Sequence, residues 1–158
     1  MIVPRFPLLD EPGFWDDLTL LSATVALEAE GEPPEGQLAV AYVAVNRSRA
    51  WTLDLPGVLL GPDRRAYGDG RPFEPYSCWN DDYRPRASAR LAALGSFPPA
   101  WKAAAAALWG LVEDPTKGAT FYLNPDLTRK IRPNHDLPSW FDPSKVTAVI
   151  GRHTFLRA

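Results

Sequence analysis

Cysteine is nearly absent: the chain has one, Cys78, so no intrachain disulfide can form and a disulfide-built scaffold is excluded. Histidine is almost as scarce. His135 and His153 cannot supply the three protein ligands of a usual zinc site, and neither a metal nor a cofactor is expected. No apolar run is long enough for a membrane-crossing helix, so membrane insertion is not expected. The first residues, Met1 to Pro7, lack the basic start, apolar middle and cleavage site of an export signal. Synthesis in the cytoplasm without an export tag is the expectation. An excess of charge of one sign is missing too. Seventeen basic residues face 19 acidic ones, a net −2, which removes the electrostatic reason to expect nucleic acid as a partner.

What is present fits one folded unit. With 158 residues and 46% hydrophobic side chains, the expectation is a single domain over residues 1–158, and nothing argues against a monomer. Prolines number 17, arginine far outnumbers lysine, and Asn, Gln and Met are scarce. Proline-rich loops and few thermolabile side chains suit a heat-tolerant protein. A GC-rich genome, favouring the codons for Ala, Arg, Pro and Gly, gives the same usage, and the two explanations are compatible.

Residues 1–13 read as an extended, proline-rich arm. A helix is expected to start near Asp16 or Asp17, since acidic residues suit a helix N-terminus. Leu18, Leu21 and Val25 mark an apolar face, and the next step of three lands on Glu28. Gly31 stops that helix and Pro33-Pro34 restarts the chain into a second one, running to about Arg49. Its middle, Leu38 to Val45, is apolar nearly all round, which suits a central helix. From Trp51 to Pro85, glycines and prolines break any period, and an irregular cleft wall is expected. Helices are expected again at about Pro85–Leu94 and Pro98–Glu113, the latter with Trp101, Ala105, Leu108 and Val112 on one face. Short strands are expected at Ala119–Leu123 and Val146–Ile150, then a Gly151-Arg152 turn into a last strand, His153–Leu156. The fold class is α+β: a mostly helical domain with a small antiparallel sheet.

Glu28 is the position where chemistry is first suggested. Burial disfavours the charged form of a carboxyl group, and cleavage of a glycosidic bond needs an acid that can give a proton and take one back. The bland alternatives are a glutamate reaching water or one paired with an arginine such as Arg47. Glu30, Glu32 and Glu35 lie close by. Glu35 suits a helix first turn, Glu30 should point away, and Glu32, in the inter-helix turn, is either a rival acid or a group that holds that turn in shape. The structural role is preferred for Glu32. Tyr76, Ser77, Trp79, Tyr122, Asn124 and Trp140 are the aromatic and small polar groups a sugar site would use, and each singly also fits core or turn duty.

Three blocks then stand together: Glu28-Ala29-Glu30-Gly31-Glu32-Pro33, Glu35-Gly36-Gln37-Leu38-Ala39-Val40 and Val45-Asn46-Arg47. They are followed by Tyr76-Ser77, by Ala119-Thr120-Phe121-Tyr122-Leu123-Asn124-Pro125, by Trp140, and by Ile150-Gly151-Arg152-His153-Thr154-Phe155. This order and spacing resembles the cell-wall hydrolase family of the spore-cortex lytic enzyme catalytic domain, from about Leu18 to Phe155. Residue 30 departs from it, being Glu where the family often has Arg.

The resemblance implies a lysozyme-like, lytic transglycosylase-like fold with Glu28 catalytic. It implies that Ser77, Tyr122 and Asn124 lie near the sugar, with Trp140 a further substrate contact and Glu32, Gln37 and Arg47 in supporting roles. One acid would protonate the bond between N-acetylmuramic acid and N-acetylglucosamine, then deprotonate the muramyl 6-hydroxyl, leaving a 1,6-anhydro product. The implied partner is the peptidoglycan glycan strand. An endolysin-like protein reaching the wall through holin lesions is one expectation. A muramidase or glucosaminidase using water, or an inactive wall-binding or virion module, are the alternatives.

Overall fold

The computed structural model describes residues 15–61, 76–79, 89–91 and 98–157. The expected N-terminal arm and most of the expected Pro85–Leu94 helix lie outside these residues. Helix α1 spans Asp17–Glu28, α2 Pro34–Trp51, α3 Leu55–Leu60, α4 Pro98–Trp109 and α5 Pro125–Ile131. Strands β1 (Phe121–Leu123), β2 (Val146–Ile150) and β3 (His153–Leu156) form one antiparallel sheet in the order β1-β3-β2. No helix among the described residues is long and apolar enough to cross a membrane.

Helix α1 begins where Asp16 accepts the Thr19 amide at 2.8 Å, filling one of the orphan donors of the first turn. Every residue from Thr19 to Leu27 is buried, so the helix is covered all round instead of showing one stripe. That leaves Ser22 and Thr24 with hydroxyls away from water. They donate to the carbonyls of Leu18 and Leu20, at 2.6 and 2.8 Å, which removes the cost of burying them. Helix α2 starts on Pro34, whose fixed φ suits a first turn, and ends at Thr52, in a left-handed conformation.

Helices α1, α2 and α4 pack on one another and make the core. Here the expected face of α4 needs correction. Its buried residues are Ala100, Ala103, Ala104 and Ala107, while Trp101 and Leu108 are only partly covered and Val112 is half exposed. Small side chains let three helix backbones approach, so the larger residues are left at the margins. The helix also stops at Trp109, before Gly110, short of the expected Glu113. Two further elements were not expected: α3, within the stretch read as irregular, and α5, after the β1 strand. Asp54 and Asn124 begin them by accepting the amides of Gly57 and Leu127, at 2.8 and 3.0 Å.

The sheet closes the other side. Phe121 pairs with Leu156, Tyr122 with Phe155 and Leu123 with Thr154 across β1 and β3. Because side chains alternate along a strand, Tyr122, Phe155 and His153 share one face, while Phe121 and Leu156 share the other. Asn46 ties the sheet to α2. Its amide donates to Asp114 at 2.9 Å and to the Ala119 carbonyl at 3.0 Å. Asp114 in turn accepts the amides of Thr116 and Gly118, at 2.8 and 2.9 Å, and so shapes the loop that delivers β1. Desolvation works to raise the Asp114 pKa. The hydrogen bonds from Asn46, Thr116 and Gly118 outweigh it and leave the value below the ordinary one.

Candidate active site

Glu28 is the last residue of α1 and is only partly buried, although the nine residues before it are all covered. The helix therefore carries one carboxylate out of the core to a point that solvent can reach. Tyr122 donates its hydroxyl proton to Glu28 Oε2 at 3.0 Å, linking the end of α1 to the middle of β1. Burial pushes the Tyr122 phenol well above its usual range, and the Glu28 charge adds to this, so the phenol is a neutral donor in the ordinary pH range.

A short 3-10 turn, Ser77–Trp79, covers the same helix face. Trp79 donates its indole N–H to Thr24 Oγ1 at 2.9 Å, and Thr24 lies one helical turn before Glu28. Trp15 packs edge-on against Trp79, with ring centroids 5.8 Å apart. This anchoring brings Tyr76 and Cys78 into the electrostatic reach of Glu28. Burial raises the Tyr76 phenol to about 12, helped by the Glu28 charge and opposed by Arg47. The Cys78 thiol is also pushed well up, first by burial and then by Glu28. The carboxylate thus faces neutral, proton-bearing neighbours. The backbone of Ser77 belongs to this turn, and its side chain lies outside the described part.

Glu32 has a different setting. Its side chain is 1% exposed, and Oε1 accepts from the Arg152 Nε at 2.7 Å. Its Oε2 accepts the Arg152 backbone amide at 3.2 Å, in the β2–β3 turn. His153 Nδ1 stands 3.8 Å from Oε1. Desolvation raises the Glu32 pKa, but the two Arg152 hydrogen bonds and the charges of His153 and Arg152 win, and the carboxyl is held below its ordinary value. Gly151, at φ 58°, is required here twice over. It takes a left-handed turn conformation, and a Cβ at this position would collide with the Glu32 carboxylate. Glu32 therefore clamps the hairpin to the α1–α2 turn, where the sequence suggested only the latter contact.

Gln37 and Arg47 brace the same region from α2. Gln37 donates to the Glu32 carbonyl at 3.4 Å. Arg47 is buried, donates Nε to the Thr120 carbonyl at 2.5 Å, and has its guanidinium 5.0 to 5.2 Å from the ring centres of Trp51, Tyr76 and Phe121. Such stacking keeps a guanidinium stable inside a protein and leaves it as a fixed positive charge. Glu30 is accounted for as well: Arg90 pairs with it at 2.5 Å and reaches the Leu27 carbonyl at 3.3 Å, placing a cation at the α1 C-terminus.

The remaining candidates are more scattered. Asn124 spends its carbonyl oxygen on the α5 cap, which leaves its amide N–H groups for any other partner. Trp140 is 49% exposed and packs on Phe121, with centroids 5.5 Å apart. Since Phe121 and Tyr122 face opposite ways, Trp140 lies across the sheet from the Tyr122–Glu28 contact. His153 was weighed in the sequence only as a metal ligand. It lies edge-on to Tyr122, 5.2 Å between centroids, and its own proton affinity is lowered by burial against the pull of Glu32. The alternation of the last strand, which puts residues 153 and 155 on one face beside Tyr122, could have pointed to it.

A partly buried carboxylate at the end of a covered helix, met by a phenol and set beside a braced hairpin, is an arrangement that can exchange a proton with a bound substrate. Comparison with known proteins supplies the family. The family described as Cell Wall Hydrolase matches residues 31–156, and the chain belongs to that family. The chain is 32% identical over 143 residues to the spore cortex-lytic enzyme of Halalkalibacterium halodurans, an alignment that takes in 89% of this chain and 34% of that protein. It thus spans about a third of the length of that curated relative. The fold matches the crystal structure of the catalytic domain of the Bacillus cereus SleB protein, with a TM-score of 0.61, 26% identity and 89% of each chain covered. The mostly helical domain with its small three-stranded antiparallel sheet is the fold of that catalytic domain.

Proposed function

We propose that the chain is a lytic transglycosylase that cuts the bond between N-acetylmuramic acid and N-acetylglucosamine, with Glu28 as its single acid and base. The observation that carries this reading is the hydrogen bond from Tyr122 to a solvent-reachable Glu28. That bond orients the carboxylate, whose neighbours Tyr122 and Cys78 both keep their protons, toward the place a glycosidic oxygen would take. Glu28 first donates a proton to the leaving oxygen, then withdraws one from the muramyl 6-hydroxyl, which attacks C1 and closes the anhydro ring. General acid–base help of this kind is worth about 10²–10⁴ in rate.

A hydrolase would need a second carboxylate to position water. Of the two described glutamates closest to Glu28 in sequence, Glu30 is paired with Arg90 and Glu32 has both oxygens bonded to Arg152. This favours the single-acid route over a muramidase or glucosaminidase. An endolysin-type, bacteriolytic role belongs to the same proposal and is tested by adding the protein to intact cells and following lysis. For the chemistry itself, Glu28→Gln should abolish turbidity loss of purified walls while the melting temperature stays within a degree or two of the parent. An unchanged lytic rate removes Glu28 from the mechanism.

A further inference from the structure

A groove of about 390 Å³ is lined by the cross-strand pair Phe121 and Leu156, on the sheet face opposite the Tyr122–Phe155 pair. Trp140 also lines it and is 49% exposed although its ring packs on Phe121. Asp142, Lys145 and Arg157 line it as well. The backbones of the two residues Lys145 and Arg157 are joined, the Arg157 amide donating to the Lys145 carbonyl at 3.0 Å.

The charges in the lining are not balanced. Asp142 accepts the Ser144 amide at 2.9 Å and the Ser144 hydroxyl at 2.6 Å, shaping the turn that leads into β2. Arg157 gives Nε to the Lys117 carbonyl at 2.9 Å, and Nη2 bonds to the same oxygen. A carbonyl orients a guanidinium without cancelling its charge. Gly118 lies against this guanidinium, and a Cβ there would sit 3.2 Å from Arg157 Nη2. Lys145 and Arg157 together outnumber Asp142, which spends Oδ1 on its own turn and also attracts Lys145. The volume suits a small ligand, and the aromatic wall suits the C–H face of a pyranose.

We infer that this groove is an accessory binding site for an acidic saccharide unit of the wall, its ring on Trp140 and its carboxylate between Lys145 and Arg157. The assignment rests on the reading of the chain as acting on peptidoglycan, whose muramyl units carry a lactyl group and a peptide with free carboxylates. Such a site would hold a second stretch of wall while the Glu28 corner, across the sheet, works on the first. The ligand would be anchored by stacking, and the cations would choose muramyl units over neutral N-acetylglucosamine.

The test uses the whole chain and N-acetylmuramyl dipeptide, which contains no glycosidic bond to cut. Its titration is followed by NMR of the tryptophan indole N–H signals, with the Trp140 signal assigned by its loss in Trp140→Phe. The Trp140 signal should shift saturably, and affinity should fall roughly fivefold in Lys145→Glu. Trp140→Ala should lose roughly tenfold, with Trp140→Phe recovering most of it. N-acetylglucosamine should bind more weakly than the dipeptide. An unmoved Trp140 signal, or equal affinity in Lys145→Glu, overturns the inference. Equal binding of the neutral sugar overturns the acidic specificity. The readout does not depend on catalysis, so a failure of the Glu28 mechanism would show separately, as walls left uncut by a chain that still binds the dipeptide.

Discussion

Glu28 and Glu32 are four residues apart, in the same short motif, and the fold gives them opposite settings. Glu32 is buried and bonded through both oxygens to one arginine, beside a histidine. Glu28 is partly open, accepts a phenol proton, and has neighbours whose own protons are held tightly. A carboxylate saturated by a cation stabilises a structure and is a poor proton donor. One met by neutral donors has no fixed cation to hold it ionised. The difference follows from position: Glu28 closes a helix, while Glu32 sits in the turn onto which the β2–β3 hairpin folds.

Replacing each carboxylate in turn should separate the two roles. Glu28→Gln should cost about 10²–10⁴ in lytic rate with little change in melting temperature, measured by turbidity and calorimetry on one preparation. Glu32→Ala should act in the opposite sense, lowering unfolding free energy by about 2 kcal/mol in urea titrations as the hairpin loses its clamp. The figure is kept modest because Arg152 is 63% exposed and partly screened by water. A Glu32 variant of parental stability but no activity would break the comparison, since the acid would then be the wrong one.

Acid should weaken the Glu32 corner in two stages. The His153 pKa is lowered from 6.5, so below that value the unfolded chain takes up a proton that the folded chain refuses. Stability then falls as pH drops. Glu32 and Asp114 also have lowered values, against ordinary ones of 4.5 and 3.8. What they contribute is complete above those ordinary values and is lost as pH falls through their folded ones. Urea midpoints measured from pH 7.5 downward should therefore decline from about 6.5 and more steeply below 4.5. His153→Phe should flatten the first stage only. The smallest effect belongs to Tyr122→Phe, which removes one hydrogen bond from Glu28 and should slow lysis by roughly fivefold.

Much of this was legible in the sequence because local chemistry agreed with the tertiary outcome. The Asp16 cap, the Pro34 start, and the Gly151-Arg152 hairpin each follow from a residue whose backbone or side chain admits few alternatives. The face of α4 was misread for a physical reason. A period search weights large apolar side chains, whereas a helix wedged between two others buries its alanines. The partners of Glu32 were out of reach because they lie 120 residues away in sequence, joined by a register that only the folded sheet defines. The same holds for Trp140: its composition suggested sugar, and only the alternation of Phe121 and Tyr122 shows on which side of the sheet it stands.

The account stands or falls on a lone proton carrier at position 28, and the muropeptides released from purified walls report on it directly. Mass spectrometry of a wild-type digest should find anhydro-muramyl ends, one water lighter than reducing ends, and a Glu28→Gln digest should contain none. Reducing ends alone from the wild type, or the same anhydro products from the variant, would contradict it.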